Sequence, residues 1–344
     1  MAKYADRRTF IKATGVAGIT ALAGCGGNGG DGGDGGDGGD GDDGGDGGDG
    51  GDGGDGGPAG ERIAWHAGGT GGTYYPLSGE FKTIVEENTD HTLQVQSTGA
   101  SVENVGSLGN GSADFALIQN DIAYFAKNGE GLDEFEGAAI PNLMGVATLY
   151  PETIHVITRP DAGVESLQDL EGKSVNTGDL GSGTQVNALQ ILEAVGVTTD
   201  DFDEQNASFS TAADQIRDGD VDAAFVVGGW PVGAIEELAT TSDIELLPVE
   251  GDTLQTVLDA ASWFAEDTVP AGTYAGIEED VTTVSVQAMI ATREEYSEEV
   301  VEEVTAAIFD NTDDLSIKAD FISADSAQDG MSIELHPGAA AYFG

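Results

Sequence analysis

Between Ile63 and Gln119, short apolar runs take turns with stretches whose apolar residues recur every three or four positions. The first pattern suits strands and the second amphipathic helices. Ile63 to Ala67 reads as a strand, and Pro76 to Glu87 as a helix with Leu77, Phe81, Ile84 and Val85 on one face. Pro76 is tolerated because a first-turn residue needs no backbone N–H. A strand at Leu93 to Ser97, a helix from Ser101 to Leu108 and a strand at Phe115 to Gln119 complete a β-α-β series.

A second series opens after Arg159-Pro160. It reads as a short helix at Ser166 to Leu170, a strand at Lys173 to Asn176, helices at Thr184 to Val195 and Ala212 to Arg217, and a strand at Ala223 to Val227. The two series share a pattern: Gly111-Ser112-Ala113-Asp114 before Phe115 to Ile118 matches Gly219-Asp220-Val221-Asp222 before Ala223 to Val226. Each has a helix-ending glycine, an acid and a buried strand. The matched strands run into Gln119-Asn120-Asp121 and Gly228-Gly229-Trp230-Pro231, expected as irregular turns. Ligands of open α/β sheets bind beyond such strand ends. Strands at Thr153 to Thr158 and Val284 to Thr292 are placed to carry the chain between lobes, and Glu298 to Phe309 reads as a helix of the first lobe. The expected organisation is one lobe from residues 59–155 and 290–344 and another from 156–289.

Composition changes the picture at the N-terminus. Arg7-Arg8-Thr9-Phe10-Ile11-Lys12, a weakly apolar stretch and Leu22-Ala23-Gly24-Cys25 resemble a twin-arginine export signal closed by a lipobox, which makes residues 1–25 a signal and Cys25 the lipidated residue. The apolar stretch is shorter than the roughly 20 residues that span a bilayer. Residues 26–58 are almost wholly glycine and aspartate, with nothing to bury, and read as a flexible tether spanning about 30 Å. Cys25 is the single cysteine, so no intrachain disulfide forms.

The net charge is −51, and lysine in the folded part is confined to Lys82, Lys127, Lys173 and Lys318. Such a surface repels nucleic acid. In molar salt the screening length falls to about 3 Å, so this is the surface of a protein built for a salt-rich medium. With acids everywhere, a pair of carboxylates carries no message about acid–base catalysis.

Gly68-Gly69-Thr70-Gly71-Gly72-Thr73 lies between the first strand and its helix, where backbone N–H groups and the helix dipole favour an anion. It is no dinucleotide fingerprint, since Tyr74 stands where that spacing needs glycine, and Gly172-Lys173-Ser174 is no P-loop, since Leu167 occupies the required glycine position. Ser97-Thr98-Gly99-Ala100-Ser101 and Gly181-Ser182-Gly183-Thr184 put hydroxyls at helix starts, as caps or as donors to a ligand. No nucleophile elbow, zinc motif or Cys/His cluster occurs, and His66, His91, His155 and His336 are scattered. The chain is expected to be neither an enzyme nor a cofactor carrier.

Five ordered blocks carry a family resemblance: Gly69 to Pro76, Thr98 to Asn104, Gly181 to Asn187, Pro270 to Tyr274 and Leu335 to Ala339. On these the chain resembles the TAXI-type solute-binding proteins of tripartite ATP-independent periplasmic (TRAP) transporters. The resemblance implies the bilobal type II periplasmic-binding-protein fold with two hinge strands, and a small acid such as glutamate or a dicarboxylate as ligand. It also implies integral-membrane TRAP subunits as partners and a place on the outer face of the membrane, held by the lipid anchor. By position it implies ligand contacts from Thr70, Gly71, Gly72, Tyr75, Ser101, Asn104, Gln119, Ser182, Gly183, Thr184 and Asn187. Trp230 departs from the pattern, because the corresponding turn is usually made of small residues. An ABC-type binding protein would share the fold. No lysine or arginine falls within the glycine and hydroxyl loops, so the carboxylate is expected to rest on backbone amides, hydroxyls and Gln119.

Overall fold

The computed structural model describes residues 60–132 and 135–344; the paired arginines, Cys25 with its lipobox and the Gly/Asp tether lie outside the described residues. β1 (Arg62–His66) leads through the glycine loop into α1 (Tyr74–Asn88), and β2 (Thr92–Gln96), α2 (Ser101–Gly109) and β3 (Phe115–Gln119) follow. α1 starts two residues before the expected Pro76, which leaves the proline in the first turn, where its missing N–H costs nothing.

The polar run after β3 is not an irregular turn. It opens α3 (Asn120–Asn128), with Asp121 in the first turn, where an acid complements the helix dipole. β4 (Leu143–Thr158) begins ten residues before the expected Thr153. Pro151 reads as a strand breaker, but here it pairs opposite Gln287 beside a register shift that accommodates it.

The second series contains β5 (Ser174–Asn176), α4 (Gly183–Ala194), β6 (Asp203–Gln205), α5 (Phe209–Asp218) and β7 (Ala223–Gly228). α6 (Gly233–Thr241), β8 (Glu245–Leu246), α7 (Gly251–Ala260) and β9 (Ala265–Val269), which apolar spacing does not single out, lead to β10 (Val281–Arg293). α8 (Glu298–Asp310) and α9 (Pro337–Phe343) follow.

One sheet runs in the order β2-β1-β3-β10-β4-β7-β5-β6, with β8 added on β4 and β9 on β10. The triplets β2-β1-β3 and β7-β5-β6 are each parallel, while the central β10–β4 pair and its neighbours are antiparallel. The fold is thus α/β and two-lobed. β4 carries the chain from the first parallel triplet to the second, and β10 brings it back.

Each triplet is buried on both faces. Along β3, Phe115 and Leu117 enter one core layer and Ala116 and Ile118 the other. Along β7, Phe225 and Val227 point to one layer and Ala224 and Val226 to the other. Period-two side chains make this inevitable once helices cover both faces. The shared sequence pattern has a shared job. Asp114 Oδ2 accepts from the Ala64 backbone N–H at 2.8 Å, and Asp222 Oδ2 accepts from that of Ser174 at 3.0 Å. In both lobes the acid before the strand thus locks the register of the neighbouring parallel strand.

Candidate functional site

Strand direction decides where the polar loops meet. The parallel strands of both lobes end toward one cavity, formed by the loop from β1 into α1, the loop from β2 into α2, the end of β3, and the loops entering α4 and α5. Its volume is about 80 Å³. That is room for several waters, since one ordered water needs only about 10–15 Å³ of such space. Of the expected contact residues, Thr70, Gly71 and Gly72 line it from the first loop, and Ser101 and Gln119 from the same lobe. Ser182, Gly183 and Thr184 line it from the other lobe.

The remaining three are placed elsewhere. Tyr75 is 36% exposed and does not line the cavity; Tyr74, only 6% exposed, does. Because α1 begins at Tyr74, that residue shares a helix face with the buried Leu77, Ser78 and Phe81, and its neighbour is turned about 100° toward solvent. Asn104 is fully buried behind the wall. Its amide donates to the carbonyls of Ala67 at 2.6 Å and Leu117 at 2.8 Å, and its oxygen accepts from the Thr98 hydroxyl at 2.7 Å. It thereby ties the ends of β1 and β3 to the hydroxyl loop. Asn187, also buried, donates from Nδ2 to Asp121 Oδ2 at 2.8 Å, a bond between the lobes.

Other contacts also close the lobes around the cavity. The Ala234 backbone N–H donates to Gly71 O at 3.1 Å, and the Thr73 hydroxyl donates to Gly229 O at 3.0 Å. Gly183 sits so close to Gln119 that a Cβ there would lie 1.8 Å from Oε1. That Oε1 is buried and has no partner within the protein.

Four helices, α1, α2, α4 and α5, present their N-termini to this space, the last through Ser208, Phe209 and Ser210. Ser182 caps α4 by accepting from the Gln185 N–H at 3.1 Å. α1 and α2 lack such a cap: Thr73 spends its hydroxyl on Gly229, and the α2 cap position is Ala100, at φ 68° and ψ −141°. A non-glycine residue there is strained, and strain of this kind is tolerated where the surroundings impose it. Each helix N-terminus carries about half a positive charge. No lysine or arginine is among the lining residues.

The lining does contain two acids, Glu152 and Asp179, neither of which the sequence pattern singled out. Glu152, from the middle of β4, accepts from Tyr74 Oη at 2.9 Å and Tyr150 Oη at 3.3 Å. Burial pushes its carboxyl up to about 8, although the bonds from Tyr74, Gln119 and Tyr150 pull the other way. Burial likewise raises Asp121 to about 6, against its bond from Asn187. Asp179 is raised by burial and then by the nearby charge of Glu103. A lone acid in the apolar run Leu149 to Ile154 was the available signal for Glu152, masked by a sequence with 63 acids.

Trp230 lies just outside. Lys318, from the segment between α8 and α9, holds its ammonium 4.2 Å from the centroid of the Trp230 ring and 4.8 Å from that of Phe321. Burial pushes this ammonium down to about 8.

A model of the NMT1-like family matches residues 66–344, which takes in both lobes and every residue of the cavity wall named above. Among solved structures, the chain is similar to a protein of Bordetella bronchiseptica RB50 at 14% identity, covering 82% of each chain with a TM-score of 0.50. It is also similar to the alkanesulfonate-binding protein SsuA from Xanthomonas axonopodis pv. citri bound to MOPS, at 15% identity over 83% of each chain and a TM-score of 0.45. A third is a putative L-cystine ABC transporter from Listeria monocytogenes, at 14% identity over 78% of this chain and 98% of that one, TM-score 0.45. At these identities the likeness concerns the fold. No described helix is long and apolar enough to cross a membrane.

Proposed function

The chain belongs to the NMT1-like family, and from that premise we propose that it is an extracytoplasmic solute-binding receptor that captures a small organic acid by closing its two lobes. The observation that carries this reading is the convergence of the N-termini of α1, α2, α4 and α5 on one small cavity lined by no lysine or arginine. An anion held there accepts charge-assisted bonds from backbone N–H groups, roughly twice as strong as neutral ones. A dicarboxylate or glutamate-like acid matches the donors. The five sequence blocks support a TAXI-type receptor that delivers its ligand to integral-membrane TRAP subunits, lipid-anchored through Cys25 after twin-arginine export. An ABC-type receptor of the same fold is the second reading. Among the described residues no group of three or more His, Cys, Asp or Glu side chains is placed to hold a metal ion.

Thermal-shift and calorimetric screening of organic acids, amino acids, sulfonates and sugars in molar KCl tests the ligand class. A true ligand at 100 times its Kd should add about 2.7 kcal/mol of stability. Stabilisation by neutral sugars and by no carboxylate would sink the reading. Uptake into vesicles that persists without ATP separates a TRAP partner from an ABC one.

A further inference from the structure

Glu152 is the feature of the cavity that the anion reading does not absorb. Its side chain is 3% exposed and borders the cavity beside Tyr74, Gln119 and Val227. The groups facing it are the hydroxyls of Tyr74 from α1 and Tyr150 from its own strand, the amide of Gln119 at the end of β3, and Asp121 in the first turn of α3. Asp179 lines the same cavity from the loop before α4. Lys318 is the basic residue whose field reaches Glu152, yet its ammonium rests on the rings of Trp230, Phe321 and Tyr150. The ion pairs of the described residues all involve other acids.

A carboxyl this deeply buried, with no ion-pair partner, keeps its proton against the pull of its hydroxyl donors, and two carboxylates sharing a desolvated site do not both ionise. We propose that Glu152 is a specificity-determining residue of the cleft, and that it meets the bound anion as a neutral acid, donating its O–H to the ligand's carboxylate. This rests on the organic-acid reading above. It adds that each anion bound holds one proton on the protein, and that an ionised Glu152 rejects the anion.

The sign follows from linkage. Glu152 is protonated in the free protein up to about pH 8, and the anion stabilises that form further. Affinity is therefore flat below about pH 8 and falls about tenfold per pH unit above it, with proton uptake on binding in that range. A ligand presenting an ammonium to Glu152 would do the reverse: it would bind better as pH rises and release a proton.

The test has two arms, both in molar KCl. In the free protein, an infrared difference spectrum of wild type against Glu152→Gln at neutral pH should show the carbonyl band of a protonated carboxyl. Calorimetry with succinate and L-glutamate from about pH 6 to about pH 10, in two buffers of different ionisation enthalpy, then gives affinity and proton count. Glu152→Gln, which keeps a donor but cannot ionise, should lose the alkaline fall whatever its affinity at pH 7. Tyr74→Phe removes a bond that favours the ionised form, so the break should move to higher pH; an equal loss at all pH values would indicate packing alone. Anion binding without the infrared band, or affinity that rises with pH, overturns the donor role. If neither anion binds at any pH, the ligand reading and the donor role fall together, even where the band is present.

Discussion

The acids on the outside of this protein and those in its cleft are the same side chains under opposite rules. Across the sequence 63 acids, Glu152 and Asp121 among them, stand against 12 lysines and arginines, so on the outer surface pairs such as Arg217 with Asp214 are exceptions. Exposed pairs are individually weak. Inside, Glu152 and Asp121 are cut off from water and from bulk ions, and their charge is set by burial and by hydroxyl or amide neighbours. Surface charge should answer to salt, and cleft charge to pH and ligand. The largest expected effect tests the first half of that contrast. Raising KCl from about 0.1 M to about 3 M should raise Tm by more than about 10 °C, equivalent to several kcal/mol at this size, because the Debye length shrinks from about 10 Å to about 2 Å. Glu152→Gln should leave that salt slope unchanged. A flat salt curve, or a slope that changes in the variant, would break the comparison.

The same contrast decides what could be read from sequence. The β-α-β grammar of both lobes was legible because burial on two faces leaves continuous apolar strands. The repeat around Asp114 and Asp222 was legible because one backbone task recurs. Most of the cavity wall was legible too, since Thr70 to Gly72 and Ser182 to Thr184 need small residues at helix starts. Tyr74 was not separable from Tyr75 by type, only by the first residue of α1, and helix ends are the least determined feature of a periodic pattern. Glu152 was hidden for a different reason: its meaning comes from burial, and composition offers dozens of identical residues that are solvated.

A smaller effect sharpens the idea that the cleft wall is closed by close approach rather than by charge. Alanine normally gains over glycine in a helix by up to about 1 kcal/mol. At Gly79, exposed in α1, an added Cβ meets nothing within 4 Å, so Gly79→Ala should stabilise by about 0.5–1 kcal/mol. At Gly183, first residue of α4, the new Cβ would lie 1.8 Å from Gln119 Oε1 and 3.1 Å from Ser101 Oγ, both from the opposite lobe. Gly183→Ala should therefore cost about 1–2 kcal/mol by overpacking. Chemical unfolding at fixed salt checks both. Equal and favourable shifts would mean that the lobes do not press on each other at this point.

The smallest effect concerns the contact that joins the lobes beside the cavity. Leu315 and Ile322 anchor the segment bearing Lys318 in the core of the first lobe, whereas Trp230 packs against the core of the second. An ammonium 4.2 Å from the Trp230 centroid is within the range where a cation–π contact contributes about 0.5–2 kcal/mol, more when desolvated. Lys318→Met keeps the apolar stem and removes the charge, and Trp230→Leu keeps apolar bulk and removes the ring. A double-mutant cycle in molar salt should return a coupling of about 0.5–1 kcal/mol. Salt should barely reduce it, since this charge is half-buried, unlike those on the outer surface. Its pH dependence is fixed by burial, which lowers the Lys318 ammonium to about 8. The coupling is present below that pH and lost as the proton leaves, so by about pH 10 the cycle should approach zero. A coupling that survives there unchanged would show that Lys318 holds Trp230 by its methylenes, and that the lobes are joined at this point by packing rather than by charge.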